Sequence, residues 1–483
     1  MEEILSQDGW LNQLLAGIND WVWSYALIGM LVVCGLWFTW KNKFVQIRML
    51  PEMIRLLTDR GTKKAELDEE GKPKYRNISS FQAFAVSIAT RVGTGNLAGV
   101  ATAIAVGGPG AVFWMWIIAF IGAATAYVES TLAQLFKERE KDSFVGGPAY
   151  YILKGMQLPG LATLFAVLIT LTFGLSYNAI QSNTICAALN EAFGTDSTIV
   201  GIVIAAVALF IVFGGIQRVA KVSSVLVPLM AGGYFLLTLV IIAMNVNLIP
   251  DVFRLIIENA FGVNQAIGGT FGVAIVNGIK RGLFSNEAGE GSAPNVAATA
   301  DVSHPVKQGL IQSLGVFTDT IIVCTCTAFI ILLSGVYQCG DESGIQLTQM
   351  ALESQVGSAG PVFVALAICM FAFSSIIGNY YYGEVNVRFL TKNKYAMFAY
   401  RLLSGGLVII FGAVSAIDLV WNIGDFFMAL LTAVNLLAIL ILGNLVFRMT
   451  DDYIQQKRSG ISEPEFHRVT VPEVEDEVKV WPL

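Results

Sequence analysis

The chain has 483 residues, of which 55% are hydrophobic and only 14% are charged, and its mean hydropathy is +0.65. Soluble globular proteins carry about 25% charged residues, so this composition excludes a soluble enzyme and a nucleic-acid-binding protein. It predicts an all-α polytopic membrane protein whose surroundings are a lipid bilayer. The net charge of −6 says little about function. The sequence has only two histidines, His304 and His467, so a histidine-based metal or catalytic centre is not expected.

Apolar runs that are long enough to cross about 30 Å of hydrocarbon predict eleven transmembrane helices in this sequence. The first ten residues have no basic n-region and do not resemble a cleaved signal peptide, so the first run is expected to be retained. The seventh run is the weakest, because its second half is polar and glycine-rich. In chain order the runs cover residues 22–40, 80–106, 111–136, 161–190, 198–214, 219–244, 266–303, 308–335, 361–386, 397–414 and 422–446.

Lysine and arginine predict how these helices are oriented. Ten of them lie in the 41–79 loop, whereas the 336–360 loop on the opposite side has none. Because basic loops face the cytoplasm, we expect a multi-pass protein of the cell membrane, of bacterial or archaeal type, with the N-terminus outside and the C-terminus inside. Lys280 and Arg281 fit this pattern less well, since they lie within a predicted crossing.

Two segments outside the apolar runs have their own predicted character. Residues 44–57 are amphipathic and predict a helix lying on the inner membrane surface, and the tail from Thr450 onward is polar, acidic and expected to be flexible. The chain is thus divided into an N-terminal part, two five-helix repeats and a tail, with boundaries at 1–79, 80–244, 266–446 and 447–483.

Glycines interrupt two of the crossings in a way that predicts broken helices. The first break is Gly93-Thr94-Gly95-Asn96, and the second is the segment 282–291, GLFSNEAGEG. Without the first crossing, these are helices 1 and 6 of ten, so the first helix of each five-helix half is discontinuous. Paired glycine-interrupted segments of this kind indicate an inverted-repeat transporter. A face for close helix packing is the alternative interpretation of the first break.

The chemistry of a broken helix explains what such a site can bind. Free N–H groups at the start of a half-helix attract a carboxylate, and free carbonyls at the end of the other half attract Na⁺ or an ammonium group. Ser374 and Ser375 could add hydroxyl oxygens for Na⁺, or could simply bond to carbonyls of their own helix.

Seven ionisable residues fall inside the predicted crossings, and such residues mark functional sites. Asp319 lies near the middle of its crossing and is the best candidate for a pathway or cation role. Arg91 could form an inner gate with Glu287 or Glu290. Glu384 and Asp425 lie near the ends of crossings, where we expect them to reach the membrane surface. The seven are Arg91, Glu129, Glu287, Glu290, Asp319, Glu384 and Asp425.

Three motifs, RVGTGNLAGVATAI, FSNEAGEGSAPNVAATA and FAFSSIIGNYYYGE, together resemble the alanine or glycine:cation symporter family. That family belongs to the amino acid–polyamine–organocation superfamily and has a LeuT-type fold, which is a ten-helix inverted repeat. In this chain one additional N-terminal helix would precede the repeat. The resemblance covers residues 80–446. It implies uptake of small neutral amino acids, driven by Na⁺ as the coupling ion or by H⁺, through alternating access.

The resemblance also implies a role for individual residues. The amides of Thr94 and Gly95 would bind the substrate carboxylate, Gln181 would contact the substrate, and carbonyls around Phe284 would bind the amino group. Asn96 aligns with the asparagine of a second sodium site in that fold. The implied ligands of the main Na⁺ site are backbone oxygens of Ala89, Val92 and Phe371 and the hydroxyls of Ser374 and Ser375.

Asn379 departs from the family pattern, because alanine-type members often carry tryptophan there. The smaller amide predicts a roomier and more polar pocket that admits glutamine. A cation channel and an amino-acid-sensing membrane protein of the same fold are the alternatives. A channel would need a continuous polar pore, for which the charged residues are too sparse, and the oligomeric state stays open.

Overall fold

The structure, a computed structural model, describes residues 9–58, 78–140, 143–262, 270–338 and 343–483. In these ranges the chain is almost wholly helical, with one short antiparallel hairpin formed by β1, Glu138–Glu140, and β2, Ser143–Val145. The start of the predicted 266–303 crossing and part of the 41–79 loop lie outside the described residues. The helices are α1 Trp10–Lys41, α2 Val45–Arg48, α3 Leu50–Leu56, α4 Ser80–Arg91, α5 Gly95–Gly107, α6 Gly110–Leu135, α7 Pro148–Gly155, α8 Pro159–Phe193, α9 Ser197–Val212, α10 Gly215–Met244, α11 Ile249–Ala260, α12 Thr270–Asn286, α13 Pro294–Ala297, α14 Pro305–Ser334, α15 Gly344–Val356, α16 Ala359–Leu390, α17 Lys394–Val414 and α18 Ile417–Arg458.

Eight of these helices are long and apolar enough to cross a membrane, which confirms a polytopic all-α membrane protein. They are α1, α6, α8, α10, α14, α16, α17 and α18, and two shorter apolar helices, α5 and α9, accompany them. The predicted total of eleven crossings stays a prediction. The side chains of α8 and α10 that face away from the protein are exposed apolar groups, as expected for helices in contact with lipid.

The first predicted break is present and separates α4 from α5. A capping box starts α4, in which Ser79 and Gln82 exchange backbone-to-side-chain hydrogen bonds of 3.0 and 3.2 Å. The helix ends at Arg91, because Val92 is extended, with φ −77° and ψ 90°. The chain then resumes as one widened turn, Gly95–Gly99, before regular helix. The break therefore begins one residue before Gly93.

The second break is also present, but it begins later than predicted. Helix α12 continues past Gly282 to Asn286, and residues 287–293 form the non-helical link to α13. Gly282 serves packing, since a Cβ there would lie 2.6 Å from Ile118 Cγ2 of α6. The link itself needs left-handed backbone at Gly289, with φ +98°, a conformation that glycine adopts without steric cost.

The packing of the long helices places both breaks in the interior. Helix α6 lies against α12 and α14, and α8 lies against α16, while α4 contacts α10 and α16. The broken pair α4–α5 therefore lies in the interior, with α10 and α16 against α4 and with α6 and α12 against α5. Helix α1 packs on α6 and on α18, outside this core.

The C-terminal tail packs against the protein, so the prediction of a flexible tail is wrong. The Phe466 amide donates to the Ser303 carbonyl at 2.9 Å. The Trp481 indole donates to the carbonyls of Gln134 and Leu135 at 3.2 and 3.1 Å, where α6 ends. Apolar side chains that recur between the tail's acidic residues make this docking possible, and five of them are buried: Phe466, Val471, Val474, Val478 and Trp481.

Candidate functional site

The two broken helices meet where Gly95 of α5 packs against Phe284 and Ser285 of α12. A Cβ on Gly95 would lie 2.9 Å from Ser285 Cα and 3.1 Å from Phe284 Cδ1. Such separations are too short for a real side chain, so only glycine allows α5 to approach α12 this closely. The break is therefore both an opening of backbone polar groups and a contact between α5 and α12.

Helix α8 supplies the side chain that reaches the opened backbone. Gln181 Oε1 accepts hydrogen bonds from the Thr94 amide at 3.0 Å and from the Thr94 hydroxyl at 2.8 Å. A Cβ on the neighbouring Gly93 would collide with the Ser375 hydroxyl of α16. Thr94, Gly95, Gln181 and Phe284, named from the resemblance, are thus brought together.

A cluster of uncharged oxygens lies next to this break. Ser374 donates to the carbonyls of Ala89 and Phe371 at 3.0 and 2.8 Å. Ser375 reaches the same two carbonyls at 3.1 and 3.2 Å. Val92, the extended residue after α4, is fully buried. Carbonyl and hydroxyl oxygens are the ligands that hard cations take, so the donor set fits Na⁺.

Asn96 belongs to a separate polar group centred on Asp319 of α14. Its amide donates to Asp319 Oδ1 at 2.7 Å, and its oxygen accepts from the Gly93 amide at 2.9 Å. Asp319 Oδ2 accepts from the hydroxyls of Ser285 and Thr320 at 2.7 and 2.8 Å. Asn96 thus ties the first break to α14, and its amide is already engaged.

Aromatic rings cover the breaks on the side of Phe284. The Phe284 ring lies 4.8 Å from the Tyr177 ring and 4.7 Å from the Trp421 ring, centroid to centroid. The Arg281 guanidinium lies over the Trp421 ring, 4.4 Å from its centroid. Sequence reasoning missed Tyr177 and Trp421, because isolated aromatics in apolar runs give no signal of their own.

Asp425 is fully enclosed, so the expectation that it reaches the membrane surface is wrong. Its carboxylate binds both Lys280 and Arg281, at 2.6 and 2.7 Å. This triad explains the two basic residues that did not fit the charge pattern. Glu384 is corrected in the same way, because it is buried and paired with Arg388 and Arg401 at 2.5 and 3.0 Å. In both cases burial is possible because cations from other helix turns neutralise the carboxylate.

Asn379 lies one helical turn beyond Ser375, on the same side of α16. It is 1% exposed. Neither its amide nitrogen nor its oxygen has a hydrogen-bond partner among the residues that the structure describes. An unpaired buried amide costs stability, so the amide is available to a ligand.

The second break holds two buried glutamates, Glu287 and Glu290, a third one packs against it from α6, and Arg91 acts on all three electrostatically. Arg91 donates to the Gln312 carbonyl at 3.1 Å. Within the described ranges its Nε and Nη2 atoms have no hydrogen-bond partner, so the direct gate with Glu287 or Glu290 is absent from this closed arrangement. Glu129 of α6, which sequence reasoning did not place in any site, is the third member.

The arrangement as a whole is closed to solvent. Thr94, Gln181, Phe284, Ser375 and Asn379 are each exposed by 4% or less. Neutral dipoles beside an opened backbone can hold a zwitterion and a cation together without a charged side chain. For a solute to reach these residues from water, the helices that enclose them must move apart.

The sequence pattern of the sodium:alanine symporter family matches residues 8–468. The protein named Probable sodium/glutamine symporter GlnT, from Bacillus subtilis (strain 168), is 48% identical over 98% of this chain and 96% of its own. The Sodium/proton-dependent alanine carrier protein of Bacillus sp. (strain PS3) is 39% identical over 86% and 94%. A mutant manganese transporter from Eremococcus coleocola superposes with a TM-score of 0.55 at 14% identity over 88% of both chains, which shows a shared fold. The chain therefore belongs to the sodium:alanine symporter family.

Proposed function

We propose that this protein couples the inward movement of Na⁺ to the uptake of small neutral amino acids, such as alanine and glycine, and that it also admits glutamine. Family membership makes the chain a sodium-coupled amino-acid transporter and not an enzyme. The observation that carries the proposal is the meeting of two broken helices beside the oxygen cluster on α16. The substrate and ion sites of inverted-repeat transporters are typically formed by such broken helices.

The proposed membrane arrangement has eleven crossings, with the N-terminus outside and the C-terminus in the cytoplasm. To the eight long apolar helices it adds α9 and the two broken pairs, α4 with α5 and α12 with α13. The excess of basic residues in the 41–79 loop supports this orientation. The Lys280–Arg281–Asp425 triad would then lie on the outer side of the site.

Na⁺ would bind at Ala89, Val92, Phe371, Ser374 and Ser375. The two serine hydroxyls share two carbonyls, so each hydroxyl can turn its lone pairs toward a cation while the carbonyls complete the shell. The carbonyl of Ala89 belongs to the broken helix and the hydroxyls belong to α16. A bound cation would therefore link the two helix groups and favour their closed arrangement.

The substrate carboxylate would bind the amides of Thr94 and Gly95. The Gln181 oxygen already accepts from the Thr94 amide and hydroxyl, so it marks where an anionic oxygen would be received. We propose that the substrate displaces this oxygen and that the Gln181 amide then donates to the substrate. The amino group would be received by carbonyls around Phe284, on the α12 side of the break.

The experiment that tests the proposal is uptake into proteoliposomes that contain the purified full-length protein. An inward Na⁺ gradient should drive accumulation of labelled alanine, glycine and glutamine, and replacement of Na⁺ by K⁺ should abolish accumulation. Saturable, gradient-driven accumulation separates a symporter from a channel. Amino-acid uptake of the same extent with and without an inward Na⁺ gradient would contradict the proposal.

A further inference from the structure

Three glutamates lie in or against the link between α12 and α13, sealed from solvent. Glu129, Glu287 and Glu290 are exposed by 0%, 2% and 0%. One cation, Arg91, acts on all three electrostatically. Three ionised carboxylates beside one guanidinium would leave an uncompensated buried charge, which is far more costly than a neutral carboxyl group. Burial of this cluster therefore favours a proton on at least one of its carboxyl groups.

Of the three glutamates, Glu129 has the strongest hydrogen-bond support for a charged carboxylate. Its carboxylate accepts from the backbone amides of Gly289 and Gly291 at 3.3 and 3.1 Å and from the Asn435 side chain at 2.8 Å. Three donors aimed at one carboxylate stabilise its charged form. Glu129 thus holds the link of the broken helix in shape.

Glu290 has the weakest support for a negative charge. It accepts one hydrogen bond, from the Tyr177 hydroxyl at 3.2 Å, and its Oε1 atom has no partner in the part of the chain that the structure covers. Glu287, by comparison, accepts a 2.5 Å hydrogen bond from Ser292. Among the three, Glu290 is the carboxyl on which a proton is best placed.

Charged and titratable groups from every neighbouring helix bear on this position. Glu287 and Glu129 repel a negative charge on Glu290, and Arg91 attracts it. Asp319 of α14 repels a charge on Glu287, and Asp425 of α18 acts on the Tyr177 hydroxyl. The groups are Arg91 from α4, Glu129 from α6, Tyr177 from α8, Glu287 from the link, Asp319 from α14 and Asp425 from α18.

We propose that Glu290 is a proton-binding site whose occupancy is coupled to transport, an inference that rests on the proposed function. A proton from the outer solution binds the Glu290 carboxylate while the site is open outward, forming the neutral acid. The neutral acid permits closure, because only the closed state buries it among other carboxylates. When the site opens inward and water returns, the carboxyl group ionises and the proton enters the cytoplasm.

The position of Glu290 connects proton binding to helix movement. Tyr177 stands on α8, whereas Glu290 stands on the link of the broken helix, so their hydrogen bond joins two elements that must separate when the site opens. Tyr177 also touches the Phe284 ring at 4.8 Å. Tyr177 therefore connects Glu290 to Phe284 of the proposed substrate site. It acts as a positioning residue for the Glu290 carboxyl group.

Proteoliposomes with equal Na⁺ on both sides and the membrane voltage clamped test this site. An acidic outer solution should drive alanine accumulation, with a limit of about tenfold for each pH unit if one proton moves with each substrate. Glu290→Gln should lose this pH-driven accumulation while still accumulating alanine in a Na⁺ gradient, at a reduced rate. Glu191→Gln, an exposed glutamate near the end of α8, should behave as the wild type does.

Tyr177→Phe supplies a second variant that keeps the carboxyl group. Losing the donor to the ionised form should raise the pH midpoint of alanine uptake by about one unit. The proposed proton site would be refuted if a pH gradient did not drive alanine accumulation by the wild type, or if it still drove accumulation by the Glu290→Gln variant. Failure of Na⁺-driven and pH-driven accumulation together in the wild type would instead refute the proposed function.

Discussion

Ser375 is the residue at which α4, α16 and the proposed cation site meet. Its hydroxyl contacts the Ala89 and Phe371 carbonyls and fills the space that a side chain on Gly93 would need. We expect Ser375→Ala to raise the Na⁺ concentration that gives half-maximal uptake by about tenfold or more, because one oxygen ligand is lost.

The measurement is alanine uptake in proteoliposomes across a series of Na⁺ concentrations. Ser130→Ala is the matched control, since Ser130 is also fully buried and its hydroxyl has no hydrogen-bond partner among the described residues. An unchanged Na⁺ requirement in the Ser375 variant would remove this residue from the cation site.

Asn379 is expected to decide whether glutamine is accepted. Its unpaired, buried amide beside the break can exchange hydrogen bonds with a glutamine side chain. Asn379→Trp should reduce glutamine uptake by about tenfold or more relative to alanine, since an indole removes both the space and the amide. Competition between labelled alanine and unlabelled glutamine measures the ratio, and an unaltered ratio would contradict the assignment.

The sequence could predict the roles of residues that belong to a motif, but not their contacts. Thr94, Gln181 and Ser375 were identified before the structure, and the structure brings them together. The pairing of Asp425 with Lys280 and Arg281 could not be predicted, because it joins residues far apart in the chain. The expectation that Asp425 reaches the membrane surface was wrong for the same reason, because its neutralising partners lie far from it in the sequence.

At the scale of elements, the C-terminal tail is the segment whose behaviour differs most from expectation. The Trp481 indole caps the last carbonyls of α6, and the Lys137 ammonium lies over its ring at 4.5 Å. Burial lowers the pKa of Lys137 to about 7, because its ammonium is enclosed beneath the tail. The tail thus covers the end of α6 and the segment that precedes α14.

Trp481→Ala should release this tail. Removing a buried tryptophan costs about 3 kcal/mol or more, so we expect the rate of proteolytic cleavage after Arg458 to rise by about a hundredfold. Limited proteolysis of the detergent-solubilised protein measures the rate. Trp21→Ala, at a position that is 64% exposed, serves as control, and equal protection of both variants would show that the tail is held by other contacts.

The broken helices show how far an element can be predicted from composition. Both breaks were located from glycine and polar residues within apolar runs, yet the second begins at Glu287 and not at Gly282. A glycine either opens a helix or lets another helix approach, and only the neighbour decides which. Ile118 occupies the space beside Gly282, so there the glycine serves packing.

At the scale of the whole molecule, the amphipathic segment and the long end of α18 are joined by charge. Glu52 of α3 accepts hydrogen bonds from Arg55 at 2.9 Å and from the Tyr453 hydroxyl at 2.6 Å, and it pairs with Lys457 at 2.9 Å. Burial opposes the charge on Glu52, but these three donors lower its pKa to about 2.

This depressed pKa predicts how stability depends on pH. The ionised pairs contribute fully above the unfolded pKa of about 4.3, and the contribution is lost as the pH falls toward 2. Glu52→Gln should therefore lower the thermal unfolding midpoint near neutral pH, and the difference from the wild type should shrink as the solution is acidified. A difference that stays constant with pH would refute the ionic origin of this contribution.

The sequence by itself determined the class of the protein, its membrane-spanning character, the two broken helices and the family. Those properties depend on composition, on apolar run length and on residues that are adjacent in the chain. Only the tertiary structure decided which oxygens face one another around Ser375, which cations neutralise Asp425 and which carboxyl, Glu290, keeps one oxygen without a partner among the described residues. Such contacts depend on side chains that approach from separate helices, and helix packing fixes those distances.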